Sequence, residues 1–284
     1  MTRTLFVSDL DGTLLDANAQ LSEESRAILN RCIANGALFT VATARTPATI
    51  DVLMRGVNML LPGIVLTGAA LWDFNTGTYS DVRFIEADVA RTVADAFAQN
   101  GVSPFVYTLD TSRSPNLLEV YYNNVSPSDV DAAFIRQRCR LPLKKFHLRE
   151  NVPTERIPAT LIFFASGSPD VISRVAEQIK ATTRCAVANY DDIYNPGTAL
   201  IEVFAPGVSK ATAIESMKNR YDVDRVVVFG DNMNDLSMFE IADVSVAVAN
   251  ANPRVLEEAT LTIGSNTENA VPRFVLETVM LKIR

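Results

Sequence analysis

Sulfur and imidazole chemistry has almost no material to work with in this chain: its 284 residues include three cysteines and one histidine. Cys32, Cys139 and Cys185 are far apart and odd in number, and no Cys-x-x-Cys pair occurs. That removes a disulfide framework and a cysteine zinc site, and predicts three small buried hydrophobes in a reducing cytoplasm. His147 sits among Lys144, Lys145 and Arg149, and is expected at the surface without a chemical task. Excess positive charge is also missing. A net charge of -7 excludes a broad nucleic-acid footprint, because a polyanion needs clustered Lys and Arg. No apolar run is long enough to span a membrane, and too little precedes Leu5-Phe6-Val7 for a secretory signal. The chain is therefore expected in the cytoplasm, with any anionic ligand held locally by a few cations.

What the chain does have is length and apolar content. At 284 residues and 48% hydrophobic it can build two cores, so two domains are expected. Both ends alternate short β-branched runs with amphipathic stretches, the pattern of a doubly wound parallel α/β sheet. Leu5 to Ser8 reads as a first strand, Ala37 to Thr43 as a second and Gly63 to Thr67 as a third. Ser22 caps one intervening helix, which stops at Gly36, and Thr46-Pro47 opens another. The rhythm changes near Ala70, where Asn75-Thr76-Gly77 marks a hairpin. Strand runs at 105–109, 117–122 and 160–165 and helices at 87–99, 127–138 and 169–181 then suggest an inserted α/β domain. Alternation resumes with strands at 199–204, 225–229 and 244–248. The expected division is a core of 1–81 plus 191–284 and an insert of 82–190, with the cleft between them as the default ligand site.

Asp9-Leu10-Asp11-Gly12-Thr13 directly follows the first strand, at the carboxyl end where open α/β sheets bind ligands. Residues two apart on extended backbone point the same way, so Asp9 and Asp11 can face one spot. Gly12 admits close approach of an anion to the backbone. Gly230-Asp231-Asn232-Met233-Asn234-Asp235 repeats the arrangement at the other end of the chain. Four carboxylates at the ends of two buried parallel strands repel one another unless a divalent cation sits among them. Oxygen ligands without His or Cys favour Mg2+. Thr43 and the following Ala44 amide can hold phosphate oxygens, and Lys210 at a helix start can supply positive charge. Arg45 stands equally between a phosphate contact and a structural ion pair.

In this order and spacing the pieces resemble the four motifs of the haloacid dehalogenase (HAD) superfamily, and the long insert resembles the large α/β cap of its Cof-type branch. The resemblance implies a Rossmann-like core and a phosphatase. Asp9 attacks phosphorus and Asp11 serves as general acid and base. Gly12, Thr43, Ala44, Lys210 and Asn234 bind phosphate, and magnesium is held by Asp9, the Asp11 carbonyl and Asp231, with Asp235 ordering its water shell. Position 67 departs from the branch, where Asn-Gly-Ala usually stands in place of Thr67-Gly68-Ala69.

The four motifs see only a phosphoryl group, so the insert is expected to choose the substrate, with Tyr107, Arg113, Tyr121 and Tyr190 among its candidates. A small phosphorylated metabolite is the expected partner, and no nucleic acid or membrane. Two alternatives use the same residues: a phosphotransferase or mutase, and a non-catalytic protein regulated by phosphorylation of Asp9.

Overall fold

The computed structural model describes residues 3–112, 116–123, 127–149, 151–192 and 195–281; Arg113 lies outside them. The chain divides into two compact units, one formed by Met1–Asp81 with Ser209–Arg284 and the other by Val82–Val208. The stretch through Asp81 gives strand β1 (Thr4–Ser8), helix α1 (Glu23–Ala34), β2 (Leu38–Val41), α2 (Pro47–Leu53), β3 (Gly63–Val65), β4 (Ala70–Asp73) and β5 (Thr78–Ser80). The second unit holds α3 (Ala87–Gln99), β6 (Phe105–Asp110), β7 (Leu117–Tyr122), α4 (Asp129–Arg138), β8 (Lys144–Leu148), β9 (Thr160–Gly167), α5 (Pro169–Thr182), β10 (Ala186–Asp191) and β11 (Ala199–Phe204). The return to the first unit adds α6 (Lys210–Arg220), β12 (Arg225–Gly230), α7 (Leu236–Ile241), β13 (Val244–Val248), α8 (Pro253–Glu258), β14 (Leu261–Ile263) and α9 (Ala270–Leu281).

Among the described residues, the first unit is built on a five-stranded parallel sheet in the order β14-β13-β12-β1-β2. Every residue of β1 is buried, which explains the unbroken apolar run Leu5-Phe6-Val7. The chain steps from β1 to β2 in one direction along the sheet and from β12 to β13 in the other. Right-handed crossovers therefore place the intervening helices on opposite faces. Helix α1 starts where the sequence indicated: the Ser22 side chain accepts from the Ser25 amide at 2.9 Å, with Glu23 and Glu24 in the first turn. It ends before Gly36, whose φ of +86° suits glycine.

Strand β3 is shorter than expected and leaves the parallel sheet. It pairs antiparallel with β4, which pairs with β5 in the expected hairpin, and touches the β2 end through one parallel bridge, Ala42 to Ile64. Leu66, Thr67 and Gly68 all have positive φ (54°, 57° and 97°), which turns the backbone out of an extended path.

The second unit is a six-stranded sheet in the order β10-β11-β9-β6-β7-β8, antiparallel except for the β7-β8 pair. Adjacent residues of β9 point to opposite faces, and their contacts show what covers each. Phe163 stacks on Phe97 of α3 at 6.0 Å, while Phe164 stacks on Phe134 of α4 at 5.0 Å.

Strand β11 corrects the expectation that 199–204 resumes the core. It runs antiparallel between β10 and β9 over its full length, so the return to the first unit falls at 208/209 instead of 190/191. The apolar pattern Ala199, Ile201, Val203 predicts a strand but carries no information on which sheet it joins. Two surface and core expectations change as well. Cys139 is exposed just beyond the α4 end, while Cys32 and Cys185 are buried. His147 is not a plain surface residue: its side chain is 18% exposed, stacks on Tyr121 at 4.9 Å, and lies 3.4 Å from Glu119. That Glu119 shares Arg156 with Asp110, each at 3.2 Å. Burial lowers the His147 pKa against the pull of Glu119, so the imidazole stays neutral at pH 7.

Candidate active site

The two strands that part company in the first unit, β1 and β12, lie side by side in register, with Ser8 opposite Phe229. Their carboxyl ends are a topological switch point, the place where an open α/β sheet leaves a crevice. Asp9 is the next residue on one strand, and its amide donates to the Phe229 carbonyl at 2.9 Å. Asp231 follows Gly230 on the other. One carboxylate oxygen from each of Asp9, Asp231 and Asp235 lies within 4.8 Å of the others. Residues separated by more than 220 positions are joined because their strands are neighbours.

Lys210 closes the cluster. It is 1% exposed and its Nζ donates to Asp9 Oδ1 at 2.5 Å and to Asp235 Oδ1 at 2.8 Å. Its position is fixed from the chain before it, where Ser209 caps α6 and bonds reciprocally with Thr212. It is also fixed by Gly68, since a Cβ there would fall on the Ser209 carbonyl. Asp235 receives the backbone amides of Asp231 and Asn232 on Oδ2, both at 3.1 Å. Thr13 donates to Asp231 Oδ1 at 2.8 Å. Gly12, at φ +80°, passes so close to Asp231 that a Cβ would collide with its carboxylate.

One ammonium cannot balance three carboxylates in a buried site. Burial pushes Asp9 up to about 8, against the pull of Lys210, with Asp235 and Asp231 adding to the rise. Burial also carries Asp231 up to about 6, against its bond from Thr13. Burial opposes the charge on Lys210, but Asp9 and Asp235 outweigh it and hold its pKa above the ordinary value. Lys210 therefore remains an ammonium, while burial first, and the neighbouring carboxylates after it, disfavour ionisation of Asp9 and Asp231. A hard divalent cation fits this donor set, because the set consists only of carboxylate oxygens and one ammonium leaves three carboxylates short of positive charge.

The remaining sequence candidates fall into two groups. Thr43 is buried beside the Asp9 strand end: the preceding Ala42 amide donates to Ser8 and the Thr43 amide to Ile64. Its hydroxyl accepts from the Arg45 amide at 3.1 Å, leaving its own proton to donate. Ala44 and Asn234 are exposed, and Asn234 makes no hydrogen bond to the cluster among the described residues. Asp11, expected to offer the metal its backbone carbonyl, has its side chain engaged elsewhere. Its carboxylate is gripped by Arg45, Nε to Oδ2 at 2.7 Å and a terminal nitrogen to Oδ1 at 2.5 Å. Arg45 thus serves as an ion-pair partner here, one of the two roles the sequence left open. Asn250 was missed altogether: its side-chain amide donates to the Gly12 carbonyl at 2.8 Å, and its Oδ1 accepts from the Asn266 amide at 2.9 Å. An asparagine in Ala249-Asn250-Ala251-Asn252-Pro253 reads as a turn residue, and no local pattern points it at Gly12.

A family model described as haloacid dehalogenase-like hydrolase matches residues 6–275. The 5-amino-6-(5-phospho-D-ribitylamino)uracil phosphatase YwtE of Bacillus subtilis is 27% identical, over 94% of this chain and 95% of its own. The pyridoxal phosphate phosphatase YbhA of Escherichia coli is 24% identical, over 97% of this chain and 98% of its own. Among solved structures, a haloacid dehalogenase-like hydrolase from Bacteroides thetaiotaomicron shares the fold with a TM-score of 0.75 and 21% identity, covering 98% of this chain and all of the other.

Proposed function

The chain belongs to the haloacid dehalogenase-like hydrolases and is a phosphatase of phosphorylated small molecules, and we propose that it hydrolyses phosphate monoesters through an aspartyl phosphate on Asp9. The observation that carries this reading is the meeting of Asp9, Asp231 and Asp235 around Lys210 at the β1 and β12 ends.

In the proposed cycle Lys210 holds Asp9 through Oδ1, which leaves Oδ2 to attack phosphorus. The bond from phosphorus to the ester oxygen breaks, and the leaving alkoxide takes a proton from Asp11. Water then attacks the phosphorus of the aspartyl phosphate, gives its proton to Asp11, and frees both inorganic phosphate and Asp9. Lys210 and Thr43 offset the charge on the phosphoryl oxygens, as does the backbone at Gly12. Magnesium would be held by Asp9, Asp231 and the Asp11 carbonyl, with Asp235 ordering the amides and Lys210 around it. When bound it supplies positive charge to the transferring phosphoryl group. Asp11 can act as the acid only after its carboxylate leaves Arg45 and takes up a proton from solvent, so that ion pair is part of the proposal.

Substrate choice is proposed to reside in the second unit, among metabolites such as sugar phosphates. YwtE and YbhA, whose names specify a phosphorylated ribityl compound and pyridoxal phosphate, support a small organic phosphate. Magnesium-dependent release of phosphate from p-nitrophenyl phosphate is expected, with a loss of at least about 10³-fold in Asp9→Asn and on chelation. Full activity in Asp9→Asn would remove the nucleophile assignment. A screen of phosphorylated metabolites then identifies the natural substrate.

A further inference from the structure

The second unit buries a lysine for which the described residues offer no counter-charge. Lys144, the first residue of β8, is 8% exposed, and no carboxylate pairs with it among the described residues. Its Nζ lies 5.2 Å from the centre of the Tyr107 ring. A charge of its own sign acts on it: Arg138, in the last turn of α4, sits over Phe134 at 4.3 Å and acts electrostatically on both Lys144 and Tyr107. Strand register places Lys144, Tyr107 and Glu202 on the same sheet face, but Lys144 and Glu202 are four strands apart in the order β8-β7-β6-β9-β11. Glu202 influences Tyr107 and is hydrogen-bonded with Tyr190.

A buried ammonium without a counter-charge is costly unless an anion joins it. The groups on this patch are donors: an ammonium, a guanidinium and a phenol kept protonated by burial. Phe134, Phe146 and Leu118 wall it with apolar surface, which strengthens any charge pairing made there. We propose that Lys144 and Tyr107, in the positive field of Arg138, form an oxyanion-binding site in the second unit, taking a carboxylate or a tetrahedral dianion. The site shares no residue with the Asp9 cluster and does not rest on the phosphatase reading.

Burial, reinforced by Arg138, lowers the Lys144 pKa to about 7. An oxyanion that requires the ammonium therefore binds more weakly as the pH rises above 7, by about tenfold per unit. The groups facing Lys144 or its neighbours are Tyr107 from β6, Arg138 from α4 and, through Tyr107, Glu202 from β11. Of these, Glu202 also titrates near 7, and its ionisation acts in the same direction.

The test is calorimetric titration of the full chain with sulfate and separately with malonate between pH 7 and 9, where both probes stay dianionic. Sulfate should also occupy the phosphate site of the first unit, so stoichiometry separates the two. Lys144→Met is expected to bind one sulfate fewer than the wild type, with Asp9→Asn retaining the Lys144-dependent event. Lys144→Arg should keep that event and flatten its pH dependence, because a guanidinium does not titrate in this range. Lys144→Met removes an unpaired buried charge and is expected to fold, checked by circular dichroism. A preference for malonate or for sulfate names the ligand class, and either supports the site. Equal stoichiometry in the wild type and Lys144→Met for both probes would overturn it, leaving Lys144 as a packing residue.

Discussion

Lys210 and Lys144 are both buried, one in each unit, yet their surroundings are opposite. Lys210 is 1% exposed and bonded to two carboxylates; Lys144 is 8% exposed and faces an aromatic ring and an arginine. The first is held charged and the second is pushed toward neutrality at pH 7. Burial alone therefore says little about a lysine's state. The sign of the charges buried with it decides whether it acts as a fixed cation or as a group waiting for an anion.

Exchanging each lysine for methionine is the largest test of that contrast. Lys210→Met leaves Asp9 and Asp235 buried without their partner, and is expected to cost about 3–5 kcal/mol at neutral pH, read by denaturant unfolding. Lys144→Met should be neutral or stabilising by the same measurement. Equal losses in both would erase the distinction. Gly12→Ala probes how tightly the acidic cluster is assembled. A side chain at φ +80° against Asp231 should cost about 1–3 kcal/mol and weaken magnesium binding, measured by calorimetry.

Glu202 sharpens the comparison from the acidic side. Its carboxyl rises from 4.5 to about 7, with burial as the main cause. The folded protein then holds this proton more tightly than the unfolded chain does. The stabilisation is complete below about pH 4 and fades as the pH climbs through 7. Glu202→Gln should accordingly be more stable than the wild type at pH 8, by about 1–2 kcal/mol, and gain nothing at pH 4. The smallest effect concerns Arg45, which binds Asp11 in the less buried part of the first unit. Arg45→Met should change turnover of alkyl phosphates by about tenfold while leaving p-nitrophenyl phosphate nearly unchanged, because only the poorer leaving group needs a proton from Asp11. Equal changes for both substrates would show that Arg45 acts elsewhere.

The core of the site was legible because its signals are local. An apolar strand followed directly by Asp9, and another followed by Gly230 and Asp231, place carboxylates at strand ends whatever the rest of the chain does. Ser22, Thr46-Pro47 and Gly36 likewise marked helix ends through their own backbone and side-chain chemistry. Arg45, Asn250 and Lys144 were less readable for the opposite reason. Each takes its meaning from a partner brought in by the fold: Asp11 at 34 residues, Gly12 at 238 and Tyr107 at 37 across a sheet. Strand β11 shows the same limit at the level of architecture, since alternation in 199–204 suits either sheet.

Local pattern determined that this chain forms α/β units, where their strands end, and that acidic residues gather at two of those ends, because hydrophobic period, capping and turn chemistry act over a few residues. Tertiary structure decided which strands became neighbours, that Asp11 is paired with Arg45, and that, among the described residues, one buried lysine received carboxylates while the other did not. Those outcomes depend on distances between residues remote in the chain, and an electrostatic environment exists only once those distances are set.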